Sequence, residues 1–126
     1  MTRRTLIQLT AVLMTCIALR AQISLTKEHV VYLGCAAVTT SPATLDEAEV
    51  RRATPEWRII EQQQVDLTSA RGRQLVSRMN RRIREAVRVA AVECGCDLVT
   101  RAQDVADHRG RDVADLTTQV ASLLSD

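Results

Sequence analysis

Apolar positions along this chain follow two different spacings, and the switch between them divides it into elements. From Ala70 to Glu93, Leu75, Met79, Ile83, Ala86 or Val87, and Ala90 recur every three or four residues, which predicts one long helix with a single apolar stripe. Gly95 is its natural stop. Upstream, Val30, Val31, Tyr32 and Leu33 are β-prone and almost continuously apolar, as in a buried strand, and Gly34 marks a bulge or the strand end. Leu98 and Val99 predict a second short strand, and Val105 with Ala106 a third. Asp112 then caps a closing helix whose stripe is Val113, Leu116, Val120 and Leu123.

Between the first strand and the long helix the pattern is broken twice. Ser41-Pro42 interrupts the chain, and Thr44-Leu45-Asp46-Glu47 reads as a capping box that opens a short helix over residues 45–53. Thr54-Pro55-Glu56 starts another helix, with proline at its first position, carrying Trp57 and Ile60 and ending near Gln64. Residues 65–69 form a turn, with Thr68 or Ser69 as the next cap. Two helices joined by so short a turn make an αα-hairpin, spanning about residues 55–85. Residues 30–33 and 97–100 pair only after this hairpin has gone out and returned. The expected fold class is α+β: a small strand-containing head, a short αα-hairpin arm and a C-terminal helix. Three short strands and one main stripe make a thin core, so burial in an oligomer is expected.

The N-terminus changes how the rest is read. Arg3 and Arg4 precede an apolar run from Leu6 to Leu19, interrupted by Gln8, Thr10 and Thr15. That length suits an export signal and is short for a membrane span. Leu19-Arg20-Ala21 before Gln22 is a fitting cleavage site. The expected organisation is a signal over residues 1–21 and a single domain over 22–126. An uncleaved inner-membrane anchor and lipidation at Cys16 are the alternatives. Loss of Arg3, Arg4 and Arg20 takes the 17 basic groups to 14, against 15 acidic ones, so the net charge falls from +2 to −1. The basic character of the whole chain is then no argument for nucleic-acid binding.

Candidate chemistry is sparse. An aromatic content of 2%, with no Phe, speaks against an aromatic-lined pocket or a base-stacking surface. No phosphate loop, nucleophile elbow or metal-spaced histidine pair occurs, and neither an enzyme nor a cofactor is expected. Asp104, Asp107, Asp112 and Asp115 are better explained by a helix start than by a cation site. Three cysteines follow the signal, an odd number. Residues as close as Cys94 and Cys96 rarely bridge comfortably, so a bond from Cys35 to Cys94 or Cys96, with Cys35–Cys96 as the candidate, stands beside the reading of all three as small buried apolar groups. Arg71, Arg73, Arg78, Arg81, Arg82, Arg84 and Arg88 occupy the polar surface of the long helix, with Glu85 the only acid before Glu93.

The order of these elements resembles the Skp/OmpH family of periplasmic chaperones. Arg82-Ile83-Arg84-Glu85-Ala86-Val87 followed by Ala90-Ala91 is similar to that family's returning arm helix as it enters the head. Gly95 to Val99 resembles its turn into a buried strand ending in Asp-Leu-Val, and Asp112-Val113-Ala114-Asp115-Leu116-Thr117 with Val120 its closing helix. Val30 to Leu33 resemble its first strand more loosely. The resemblance implies a homotrimer joined through a central barrel of strands, with helical arms that hold unfolded outer-membrane proteins in the periplasm without ATP. It implies client- or lipid-facing roles for Arg71, Arg78, Arg81, Arg82 and Arg88, with anionic lipid as a further contact and no nucleic acid. Family arms are long, whereas the outgoing helix here spans about ten residues, roughly 15 Å. The segment from Ser41 to Ala53 lies outside the family pattern. The alternative function is a membrane-anchored envelope adaptor without chaperone activity.

Overall fold

The computed structural model describes residues 23–125, so the expected signal over residues 1–21, Cys16 included, lies outside the described residues. Among the described residues the fold is α+β, with four α-helices and two small sheets. Strands β1 (Ser24–Leu25) and β5 (Val105–Asp107) pair antiparallel in the smaller sheet. The larger sheet has the order β2-β4-β3-β6, from β2 (Val31–Leu33), β3 (Pro42–Leu45), β4 (Leu98–Arg101) and β6 (Ala114–Asp115). The helices are α1 (Glu47–Arg52), α2 (Pro55–Gln62), α3 (Ala70–Cys94) and α4 (Thr117–Ser125).

β4 is the axis of the larger sheet. It runs antiparallel to β2, with Val31 opposite Thr100 and Leu33 opposite Val99, and parallel to β3, with Ala43 opposite Val99. Val99 belongs to the main core, while Leu98 and Thr100 alternate with it and so face the other side of the sheet. All three are fully buried, as expected of a central strand covered on both faces. The main core lies between the sheet and α1, α3 and α4, where Ala43, Leu45 and Val99 meet Val50, Met79, Ile83, Val87, Ala90, Leu116 and Val120. The α3 stripe is as expected from its spacing: Leu75, Met79, Ile83, Ala86, Val87 and Ala90 are all buried.

Two segments depart from the sequence-based expectation. Pro42–Leu45 is a strand between two parallel neighbours, not a break followed by a helix start. Proline is tolerated at the first residue of a strand. The parallel ladders to β4 and β6 hold Thr44 and Leu45 extended, and the helix begins two residues later than expected, with Asp46 as its cap, accepting from the Ala48 and Glu49 amides. The closing helix likewise starts at Thr117, not at Asp112, because Ala114–Asp115 is drawn into β6 beside β3. Asp115 accepts from the Thr117 amide (3.0 Å) and hydroxyl (2.6 Å), and Thr117 Oγ1 in turn accepts from the Asp46 amide (2.9 Å).

The start of β4 is clamped by one carboxylate. Asp97 Oδ1 accepts from Thr39 Oγ1 (2.5 Å) and the Ser41 amide (3.0 Å), and Oδ2 from the Thr40 amide and hydroxyl (both 2.7 Å). The Asp97 amide returns a bond to the Ser41 carbonyl (3.0 Å). Gly34 allows the neighbouring strand to come this close: it adopts φ +83°, and a Cβ there would lie 1.9 Å from the Asp97 carbonyl oxygen. At the other end of β4, buried Asp104 accepts two bonds from Arg101 (2.6 and 3.0 Å) and one from the Val30 amide (2.8 Å).

Desolvation opposes the charged form of Asp97, but the donors from Thr39, Thr40 and Ser41 outweigh it and hold the carboxyl well below the usual carboxylate range. A carboxyl depressed on folding stabilises fully above its unfolded value, and that stabilisation is lost as pH falls through the folded value. Asp97→Asn keeps the shape but removes the charge and one acceptor. It should lower stability at pH 7 by about 1–3 kcal/mol, towards the lower end because the group faces solvent. Urea titrations at pH 7 and at pH 2 should show the gap between variant and parent narrowing in acid.

Candidate functional site: an arginine-lined cleft

The polar surface of α3 is organised by what packs beside it. Thr54 caps α2, accepting from the Trp57 amide (3.2 Å), with Pro55 in the first turn. After α2, Asp66 folds the connection by accepting from the Thr68 amide (2.9 Å) and hydroxyl (2.8 Å), and Ser69 caps α3 by accepting from the Gly72 amide (3.0 Å). The helices are antiparallel: Glu56 near the start of α2 meets Arg82, and Gln63 just beyond its end meets Arg71. α2 spans eight residues, slightly fewer than the sequence implied.

This hairpin divides the arginines. Arg82 donates Nε to both oxygens of Glu56 (3.1 Å each) and a terminal nitrogen to one of them (3.0 Å). Glu56 is 5% exposed, so Arg82 is the counter-ion of a buried carboxylate. Arg71 donates to Gln63. These two side chains join α2 to α3, where the resemblance had implied client- or lipid-facing roles. Arg78 lines a shallow hollow with Glu56, Arg81, Arg82 and Glu85.

The other side of α3 is different. Arg73, Arg81, Arg84 and Arg88 line a cleft of about 760 Å³ together with Arg51 of α1 and Trp57 of α2. Val76, Met79 and Leu67 supply its apolar lining, and Glu85 is its only acidic residue. Arg73, Arg81, Arg84 and Arg88 form no ion pair among the described residues, and all four are exposed. Arg51 pairs with Glu47 (2.6 Å), which also accepts from the Tyr32 hydroxyl (3.0 Å). Burial, followed by the Glu47 charge, pushes the Tyr32 phenol well above its usual range, so it remains a neutral donor. Trp57 Nε1 and Arg51 Nε are buried without a hydrogen-bond partner. Of the sequence-derived arginines, the cleft therefore gathers Arg81 and Arg88 and excludes Arg71, Arg78 and Arg82. Arg73 and Arg84 were read from sequence only as part of the arginine-rich surface of the long helix, and Arg51 was not singled out. The signal available for Arg73, Arg81, Arg84 and Arg88 was helical phase, which puts them along one side of α3.

The cysteines also depart from expectation. Cys94 and Cys96 form the disulfide, with Cα atoms 5.3 Å apart, and Cys35 is free and exposed. The expected Cys35–Cys96 bond is not made. The reason is Gly95, whose left-handed backbone (φ 74°) closes α3 and turns the chain so that its two neighbours meet. The Cys96 amide is held to the Ala91 carbonyl (2.9 Å) by the same cap. Among the described residues no cluster of metal-ligating side chains occurs, and no helix is long and apolar enough to cross a membrane. No protein-family model, curated protein or solved structure gives a significant match to this chain.

Two outcomes follow for the side chains. Arg82→Ala strands a buried carboxylate and should destabilise by about 1–2 kcal/mol, reduced from a fully buried pair because Arg82 is half exposed, whereas Arg78→Ala should stay within about 0.5 kcal/mol. Thermal unfolding of the two variants in parallel checks this. Alkylation of the native, unreduced protein followed by peptide mass mapping should label Cys35 and leave Cys94 and Cys96 unlabelled.

Proposed function

We propose that this chain is a short-armed relative of the Skp/OmpH chaperones that binds unfolded outer-membrane proteins in the periplasm without ATP, as a homotrimer joined through its strand-containing head. The observation that carries this reading is the path of the chain from α3 to α4. A long arginine-rich helix ends at a left-handed glycine, enters a strand buried on both faces, and returns through β6 to an amphipathic closing helix. That order is the one on which the resemblance rests. In this reading the α2–α3 hairpin is the arm. Its cleft joins apolar side chains to unpaired guanidinium groups, a combination suited to weak, distributed contacts with an unfolded polypeptide.

The brevity of α2 favours a second reading. Eight residues rise about 12 Å, too little to wrap a large client. A protein of this shape also fits an envelope adaptor that docks one partner on the hairpin. Light scattering on protein purified from periplasmic extract, combined with an aggregation assay on a urea-diluted β-barrel protein, separates the two. The chaperone reading expects a trimer and suppressed aggregation at a few-fold excess of trimer. A folded monomer that leaves aggregation unchanged would favour the adaptor.

A further inference from the structure

We infer that the cleft between α1, α2 and α3 is a binding site for an extended acidic peptide segment, with Arg73, Arg81, Arg84 and Arg88 as its cationic wall and Trp57, Val76 and Met79 as its apolar lining. The first ground is electrostatic. Arg81, Arg84 and Arg88 follow one another at helical spacings of three and four, where like charges repel by about 0.2–0.5 kcal/mol per pair. Nothing among the described residues neutralises them by an ion pair, although the same helix matches Arg82 to Glu56 on its other side. Glu85, four residues after Arg81 and three before Arg88, is the one carboxylate in the lining, so the cleft keeps a net positive charge that an anionic ligand relieves.

The second ground is shape. Arg73 to Arg88 covers fifteen helical steps, about 22 Å. An extended chain covers that distance in about seven residues, and its side chains alternate between two faces. One face then offers carboxylates to the guanidinium row while the other meets the half-buried Trp57 and Val76. Guanidinium groups suit this role because each binds a carboxylate through two parallel hydrogen bonds. A flat bilayer, by contrast, does not enter a concave cleft between three helices. A lone tryptophan gives no stacking platform for successive bases. The biological source of such a peptide rests on the client-binding reading above.

Trp57 is the only tryptophan, so its fluorescence reports on the cleft directly. The full chain is titrated with a peptide of about ten residues alternating Glu and Val, with the Gln–Val version as control, and the change is confirmed by anisotropy of labelled peptide. Saturable binding of the Glu peptide is expected, at least about tenfold tighter than the Gln peptide and weakened by salt. The Arg84→Gln, Arg88→Gln double variant should lose about tenfold, the corresponding Lys variant should retain most of the affinity, and Arg78→Gln, outside the cleft, should change it less than about twofold. No saturable binding by folded protein, equal binding of the Gln peptide, or equal loss in Arg78→Gln would overturn the assignment. So would preferential binding to phosphatidylglycerol vesicles that the Glu peptide fails to displace. If the peptide binds as expected while the β-barrel protein still aggregates, the chaperone reading fails and the acidic-peptide site stands.

Discussion

Asp97 joins two parts of the chain that are far apart in sequence, and the larger sheet depends on that junction. Its side chain takes four hydrogen bonds from Thr39, Thr40 and Ser41, and its amide returns a fifth to Ser41. This fixes the start of β3 beside the start of β4, so the parallel register from Pro42 opposite Leu98 to Leu45 opposite Arg101 follows. A parallel pair needs a crossover. Here the crossover is α1, α2 and α3, and the hairpin that carries the cleft is therefore an excursion between two clamped strands.

The same economy governs the charged groups. Where the chain buries a carboxylate it supplies a partner: Arg82 for Glu56, Arg101 for Asp104. Both pairs couple elements distant in sequence, α2 to α3 in one case and β4 with the following turn to the approach of β2 in the other. The guanidinium row of the cleft, on the same helix as Arg82, forms no such pair among the described residues. That contrast within a single helix distinguishes a surface that holds the fold together from one left open to a ligand.

Much of this was legible in the sequence, and the failures have physical causes. α3 was clear because its stripe, from Leu75 to Ala90, runs for about four turns and its end is marked by Gly95, and β2 and β4 were clear as short apolar runs. β3 was hidden because Thr44 and Glu47 satisfy the local pattern of a helix cap, and only ladders to β4 and β6 make the segment extended. The start of α4 was misplaced because Asp112 and Asp115 are both good caps, and the choice lies with β6. The arginines were read as one face because composition does not tell which of them meets Glu56 or Gln63 across the hairpin. The cysteine pairing was misjudged because general preference weighed more than the left-handed turn that glycine permits.

The position of β4 has a consequence for how the chain acquires its structure. β2 pairs only with β4 in the larger sheet, and β3 lies between β4 and β6. No strand from the first half of the described chain can complete a ladder in that sheet until residues beyond Cys96 are available. Pairing at such separation pays a loop-closure entropy before it gains any contact, and it slows folding relative to local helix formation. The α2–α3 hairpin, with its caps and local contacts, is free to form first. During synthesis Val31–Leu33 and Pro42–Leu45 remain strands without neighbours, the kind of segment most prone to join another chain.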